Sequence, residues 1–157
     1  MSIEKGNITI GKVYAGSVQL GEVYKGGQLI NKAESEPVRL YVETVQGASV
    51  ENWNSTDYTV VEDWEMLIVK DSSFGKAYGR FTTKVELIEG GNTQVLFYKS
   101  GGYGGYPMDA EEIAPAGTEV VMPFKKGRVI RLTVGASYNP NVSGQHITSS
   151  YITFVLS

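Results

Sequence analysis

From residue 38 onward, apolar and polar residues alternate with period two. Val38, Leu40 and Val42 fall on one side and Arg39, Tyr41 and Glu43 on the other, the pattern of a strand with one face buried and one in water. Residues 80–89 repeat it through Phe81, Thr83, Val85 and Leu87, and Gly90-Gly91-Asn92 then turns the chain into a second apolar stretch at 93–98. These two stretches predict a hairpin. Met66-Leu67-Ile68-Val69 is a continuous apolar run, expected of a strand covered on both faces. Further strands are predicted at 118–122, 129–134 and 147–156, with a turn at 124–127. The stretches 47–59, 71–79, 100–115 and 135–145 are polar or rich in glycine and read as loops and turns. Seven or eight strands with no amphipathic helix between them predict an all-β domain. A β-sandwich of the jelly-roll or immunoglobulin-like kind fits best, with a small barrel as the alternative.

Ahead of this domain the chain repeats itself. Residues 10–16 read Ile-Gly-Lys-Val-Tyr-Ala-Gly and residues 20–26 read Leu-Gly-Glu-Val-Tyr-Lys-Gly. Each unit pairs Val-Tyr, suited to a pleated surface, with an x-Gly step that supplies the positive φ of a tight turn. The expectation is a small β-meander over residues 1–31. Bulges at Gly11 and Gly21 would bring Ile10 into phase with Val13, and Leu20 with Val23. About 30 residues bury too little apolar surface to stand alone, so the meander must lean on its own domain, on copies of itself or on another protein. Residues 32–37 read as a linker closed by Pro37, which biases Glu36 toward an extended backbone. Residues 38–157 are the sandwich.

Residues 8–31 resemble the Val-Tyr-x-Gly strand repeats near the N-termini of tailed-bacteriophage virion proteins such as head fibres, decoration proteins and tail or baseplate components. The resemblance covers those residues alone. It implies an anchoring or assembly segment on a virus particle, with Val13, Tyr14, Leu20, Val23, Tyr24 and Leu29 forming the interface. The implied partners are other virion proteins of the capsid or tail and further copies of the chain, a trimer among the options. The implied location is the virion, after synthesis in the host cytoplasm.

Composition narrows the remaining classes. A chain of 157 residues, 41% hydrophobic, suffices for one compact domain and a small appendage. Its net charge of −3 and pI near 5.2 provide no broad basic field for a nucleic-acid backbone. Lys125-Lys126-Gly127-Arg128 is a basic cluster that a solvated turn explains. No apolar run approaches a membrane span, residues 1–5 lack the apolar region of a secretory signal, and the absence of cysteine removes disulfides and thiol chemistry.

Candidate chemistry is sparse. The single histidine, His146, falls in a predicted polar loop, and no G-x-S-x-G elbow accompanies it. The acidic runs at 62–65 and 109–112 contain carboxylate pairs, but neither matches a calcium loop, and charged turns account for both. The glycines at 101–105 lack the spacing of a phosphate loop. No catalytic residue, metal or cofactor is expected. Tyr103 and Tyr106, in the glycine-rich loop, suit a contact surface because tyrosine offers a large rigid face at low entropic cost; covering a sheet edge is the alternative. Trp53, with Asn52, Asn54 and Asp57 close by, suits stacking on a sugar ring, whereas Trp64 adjoins the apolar run and reads as a core or rim residue. The expected function is therefore a non-enzymatic virion structural protein. The rival is a carbohydrate-binding or cell-surface-binding module with a host glycan as its ligand.

Overall fold

A computed structural model describes residues 34–46, 52–75, 79–101, 110–137 and 147–157 in full, and the backbone alone of 14–15, 18–19, 22–25, 28–32, 138 and 146. Within the N-terminal repeat the described residues form two antiparallel pairs. β1 (Tyr14–Ala15) pairs with β2 (Val18–Gln19), and β3 (Glu22–Lys25) pairs with β4 (Gln28–Lys32). Among the described residues neither pair is hydrogen-bonded into another sheet. The register shift in the second pair lies between Val23 and Tyr24, beyond the expected position at Gly21; Gly11 and Gly21 themselves lie outside the described residues.

The other eight strands make two four-stranded antiparallel sheets. They are β5 (Val38–Gln46), β6 (Asn52–Thr59), β7 (Trp64–Phe74), β8 (Gly79–Glu89), β9 (Asn92–Gly101), β10 (Glu119–Phe124), β11 (Val129–Tyr138) and β12 (His146–Leu156). Sheet 1 has the order β10-β7-β12-β5 and sheet 2 the order β6-β11-β8-β9. The pairs β5·β12, β6·β11, β7·β10 and β8·β9 are nested about the middle of the chain. One long hairpin thus wraps into two facing sheets, which is the jelly-roll topology and excludes the immunoglobulin-like and closed-barrel alternatives.

Alternation dictates the core. Leu40 and Val42 of β5, Phe81, Val85 and Leu87 of β8, Ile130, Leu132 and Val134 of β11, and Ile152, Phe154 and Leu156 of β12 all point between the sheets. Tyr58 meets Phe154 edge-on across the gap with ring centroids 6.0 Å apart, and Phe74 stacks on Phe81 at 4.0 Å. The expected 80–98 hairpin is present, and Gly90 (φ 54°) and Gly91 (φ 88°) form its turn. Positive φ at both central positions is what a two-residue hairpin loop matching the strand twist demands. In β7 the run at 66–69 is covered unequally: Leu67 and Val69 are buried, and Met66 and Ile68 are half-buried on the other face.

Four predicted loops are partly strand. Residues 52–59 form β6, 71–74 extend β7, 79 opens β8, 100–101 end β9 and 135–138 extend β11. β6 is an edge strand whose polar side chains bond across to β5, so it needs no apolar alternation. In β7 a bulge opposite Thr153 and Phe154 resets the phase, and Ser72 and Phe74 then turn inward. His146 opens β12 opposite Gln46 rather than lying in a loop, and Lys32 belongs to β4 rather than to a linker.

Candidate functional site

β5 is the edge of sheet 1 and β6 the edge of sheet 2, and side chains close the seam between them. Asn52 Nδ2 donates to the Val45 carbonyl (2.8 Å), Asn54 Nδ2 donates to the Glu43 carbonyl (2.8 Å), and the Thr44 hydroxyl donates to the Asn52 carbonyl (3.1 Å). Edge carbonyls of β5 are thereby satisfied without a further strand. Over this seam runs an open groove of about 780 Å³, lined among others by Tyr41, Glu43, Trp53, Ser55 and Ile147. Tyr41, Trp53 and Ile147 are large and exposed, at 48%, 51% and 59%.

Trp53 sits on a prepared surface. Gly135 lies opposite it in the β6·β11 ladder, and a Cβ at that position would stand 2.6 Å from indole carbons. The ring therefore lies against bare backbone. Its expected companions are engaged elsewhere: the Asn52 and Asn54 amides hold β5, Asn54 Oδ1 accepts from the Ser55 N–H (2.9 Å), and Asp57 accepts two bonds from Arg131 at 2.7 Å each. Those bonds hold the Asp57 carboxyl below its ordinary range. Across the groove the Tyr41 hydroxyl donates to the Glu43 carboxylate, which pushes its pKa up. Farther along the same outer face, Arg39 lies 4.0 Å over the Tyr151 ring, and the hydrogen bond to Asp71 raises the Tyr151 pKa. The site thus combines aromatic faces with acceptor groups.

Of the expected site residues, some lie in the described strands and others outside the described residues. Trp53 is in the groove. Val23 and Tyr24 lie on β3 and Leu29 on β4, with Tyr24 paired to Leu29, while Tyr14 lies on β1. Val13, Leu20, Tyr103 and Tyr106 lie outside the described residues. Trp64 is buried at 4%. Of the acidic runs, Asp63 accepts from Lys125 Nζ (3.3 Å) and the Lys126 N–H (2.8 Å), and Glu111 pairs with Lys99, in keeping with charged turns. Tyr41 and Ile147 were missed as groove residues, although the alternation in β5 had already set Tyr41 on the water side.

The strand ends sort into two groups. At one end lie the entry segment and the C-terminus: the Ser35 N–H donates to the Leu156 carbonyl (2.8 Å) and the Ser157 N–H to the Met66 carbonyl (2.9 Å). At the other end, Gln46 pairs with His146, Asn52 with Ala136, Gly79 with Tyr138 and Phe81 with Gly101. The connections 47–51, 76–78, 102–109 and 139–145 all leave strands at this second end.

No family model and no curated protein sequence matches the chain. It is similar to solved structures of infectious bursal disease virus. For the Gx strain, identity is 12%, covering 88% of this chain and 39% of that one, with a TM-score of 0.37. For T=1 particles derived from the virus the figures are 12%, 88% and 37%, with a TM-score of 0.34. For the VP2 subviral particle they are 12%, 88% and 38%, with a TM-score of 0.30. The chain spans less than two-fifths of the length of each.

Proposed function

We propose that the chain is a non-enzymatic structural protein of a virus particle, of the tailed-phage kind, held by its N-terminal repeat and presenting a jelly-roll to a partner or host surface. The observation that carries this reading is the polarity of the domain. The repeat, with strand pairs of its own, joins the sandwich at the end where Ser35 meets Leu156. Gly101, after which the chain continues to Tyr103 and Tyr106, lies at the opposite end. A nine-residue strand such as β5 separates the two ends by about 30 Å. The jelly-roll is a frequent fold of capsid and lectin domains, which is support by analogy. Further copies of the chain, a trimer among the arrangements, and capsid or tail proteins are the proposed neighbours.

The test is particle incorporation. Val13→Asp combined with Val23→Asp should abolish incorporation while the sandwich still melts cooperatively. Tyr103→Ala with Tyr106→Ala should incorporate normally and lose the distal partner. Normal incorporation of the first variant overturns the anchoring role. Turnover of a glycan, peptide or ester substrate that His146→Ala abolishes would overturn the non-enzymatic part.

The second reading, a glycan-binding module, is favoured by the half-exposed Trp53 ring on Gly135. Glycan-array binding that Trp53→Ala removes would select it over contact through the distal loops.

A further inference from the structure

On β12 the buried positions are even-numbered: Thr148, Ser150, Ile152, Phe154 and Leu156 face sheet 2. Val155 breaks the rule. It points to the outside of sheet 1, yet it is 2% exposed and stands apart from the core cluster. Ile68, its partner in the ladder, and Met66 are half-buried on the same outer face, and neither packs against the core. The hydroxyl oxygen of Thr153, also outward, is shut off from solvent with no hydrogen-bond partner among the described residues. A shielded apolar strip on the outside of a sandwich needs a cover.

The entry segment gives the direction from which the cover comes. Ser35 is tied to the end of β12, its N–H donating to the Leu156 carbonyl and its hydroxyl accepting from the Leu156 N–H (2.9 Å). One residue earlier, Glu34 reaches Lys70 on β7 at 3.2 Å. Followed backward from Pro37, the chain therefore runs from its bonds with the end of β12 at Ser35 to Glu34, whose side chain meets β7 at Lys70. Lys32, the last residue of β4, stands two residues before Glu34 and so within about 7 Å of it.

We infer that the outer face of sheet 1 at Met66, Ile68 and Val155 is the seat of the β3–β4 hairpin of the same chain. The tether is too short to take the end of the hairpin at Lys32 far from the strip, and a two-stranded ribbon cannot bury its own apolar face. This inference stands independently of the virion reading. Under that reading it adds that the hairpin's other face and free edge are what remain for a partner. Val121, opposite Met66 on β10 and 77% exposed, marks the margin of the seat.

The chain lacks cysteine, so a single thiol placed by Met66→Cys can carry a photoreactive benzophenone in the full-length protein. Irradiating a mixture of isotope-labelled and unlabelled protein and mapping the adducts by mass spectrometry identifies the occupant. The expected adducts join residue 66 to residues 14–32 of the same chain, without isotopic hybrids. The same probe at Val95→Cys, an exposed position on the outside of sheet 2, should give none. Hybrid adducts would assign the seat to a second copy and overturn the inference. So would adducts confined to other segments, equal labelling of the hairpin from position 95, or no adducts at all. Particle incorporation is a separate readout, so failure of the seat and failure of the virion reading remain distinguishable.

Discussion

The indole of Trp53 lies against the backbone of Gly135, its partner across the β6·β11 ladder, where a Cβ would come within 2.6 Å of the ring. Gly135 is buried and Trp53 half-exposed, so the ring covers the place where a side chain is missing. Gly135→Ala should displace the ring and cost about 1–3 kcal/mol. The expected readouts are a lower denaturant midpoint and altered accessibility of Trp53 to a fluorescence quencher. Trp64, buried at 4%, supplies the unquenched background.

A second prediction concerns the polar part of the interior. Thr83 of β8 and Ser150 of β12 are fully buried and share a hydrogen bond of 2.8 Å that joins the two sheets. Thr83→Val leaves the Ser150 hydroxyl without that partner in a low-dielectric setting, which should cost about 1–3 kcal/mol. Adding Ser150→Ala removes the stranded group and should recover part of the loss. A double-mutant cycle by urea denaturation checks this, and strict additivity would count against a coupled pair.

What was legible in the sequence follows from where one face of a strand is buried. β5, β8 and β12 have an apolar side and a wet side, so period two announces them, and the Gly90-Gly91 turn set the β8·β9 register. β6 was illegible because its polar residues serve a seam: Asn52 and Asn54 satisfy carbonyls of β5, a role that no periodicity encodes. The ends of β7 and β11 were hidden by a bulge and by Gly135, whose missing side chain is supplied from β6. Of the candidate site, Trp53 was legible as an aromatic residue among polar neighbours. Its support was not, since Gly135 lies far off in sequence, and neither was the prior engagement of Asn52, Asn54 and Asp57.

The third prediction concerns pH. Bonding to Arg131 lowers the folded-state pKa of Asp57, whereas an unfolded aspartate titrates near about 3.9. The pair's contribution is therefore present in full above the unfolded value and is lost as pH falls through the lowered folded value. Both side chains are about two-fifths exposed, at 41% and 39%, so solvent screening limits the effect to about 1 kcal/mol or less. Asp57→Asn should lower stability at neutral pH and narrow the difference from wild type as the medium is acidified. A difference that grows on acidification would contradict this sign.

The last prediction follows from the four sheet edges. β10 carries Pro123 and a register shift between Val121 and Phe124, and β9 is bulged opposite Val85 and Glu86. Both devices discourage pairing with another chain. β5 and β6 instead use each other, through the Asn52 and Asn54 amides on the carbonyls of Val45 and Glu43. Replacing both asparagines by alanine removes two bonds worth about 1 kcal/mol each, so the sandwich should lose about 2 kcal/mol. The double variant also leaves two edge carbonyls of β5 free beside the exposed Tyr41 and Val45, a template for adding a strand. It should therefore associate with increasing concentration, measured by light scattering at a temperature where circular dichroism still reports the native fold. Leucine at both positions would remove the same bonds while adding apolar bulk, and it should associate more strongly than the alanine pair. If the alanine variant is less stable but stays at the wild-type size at every concentration, the asparagines act as staples within the seam and the edge is guarded by something else.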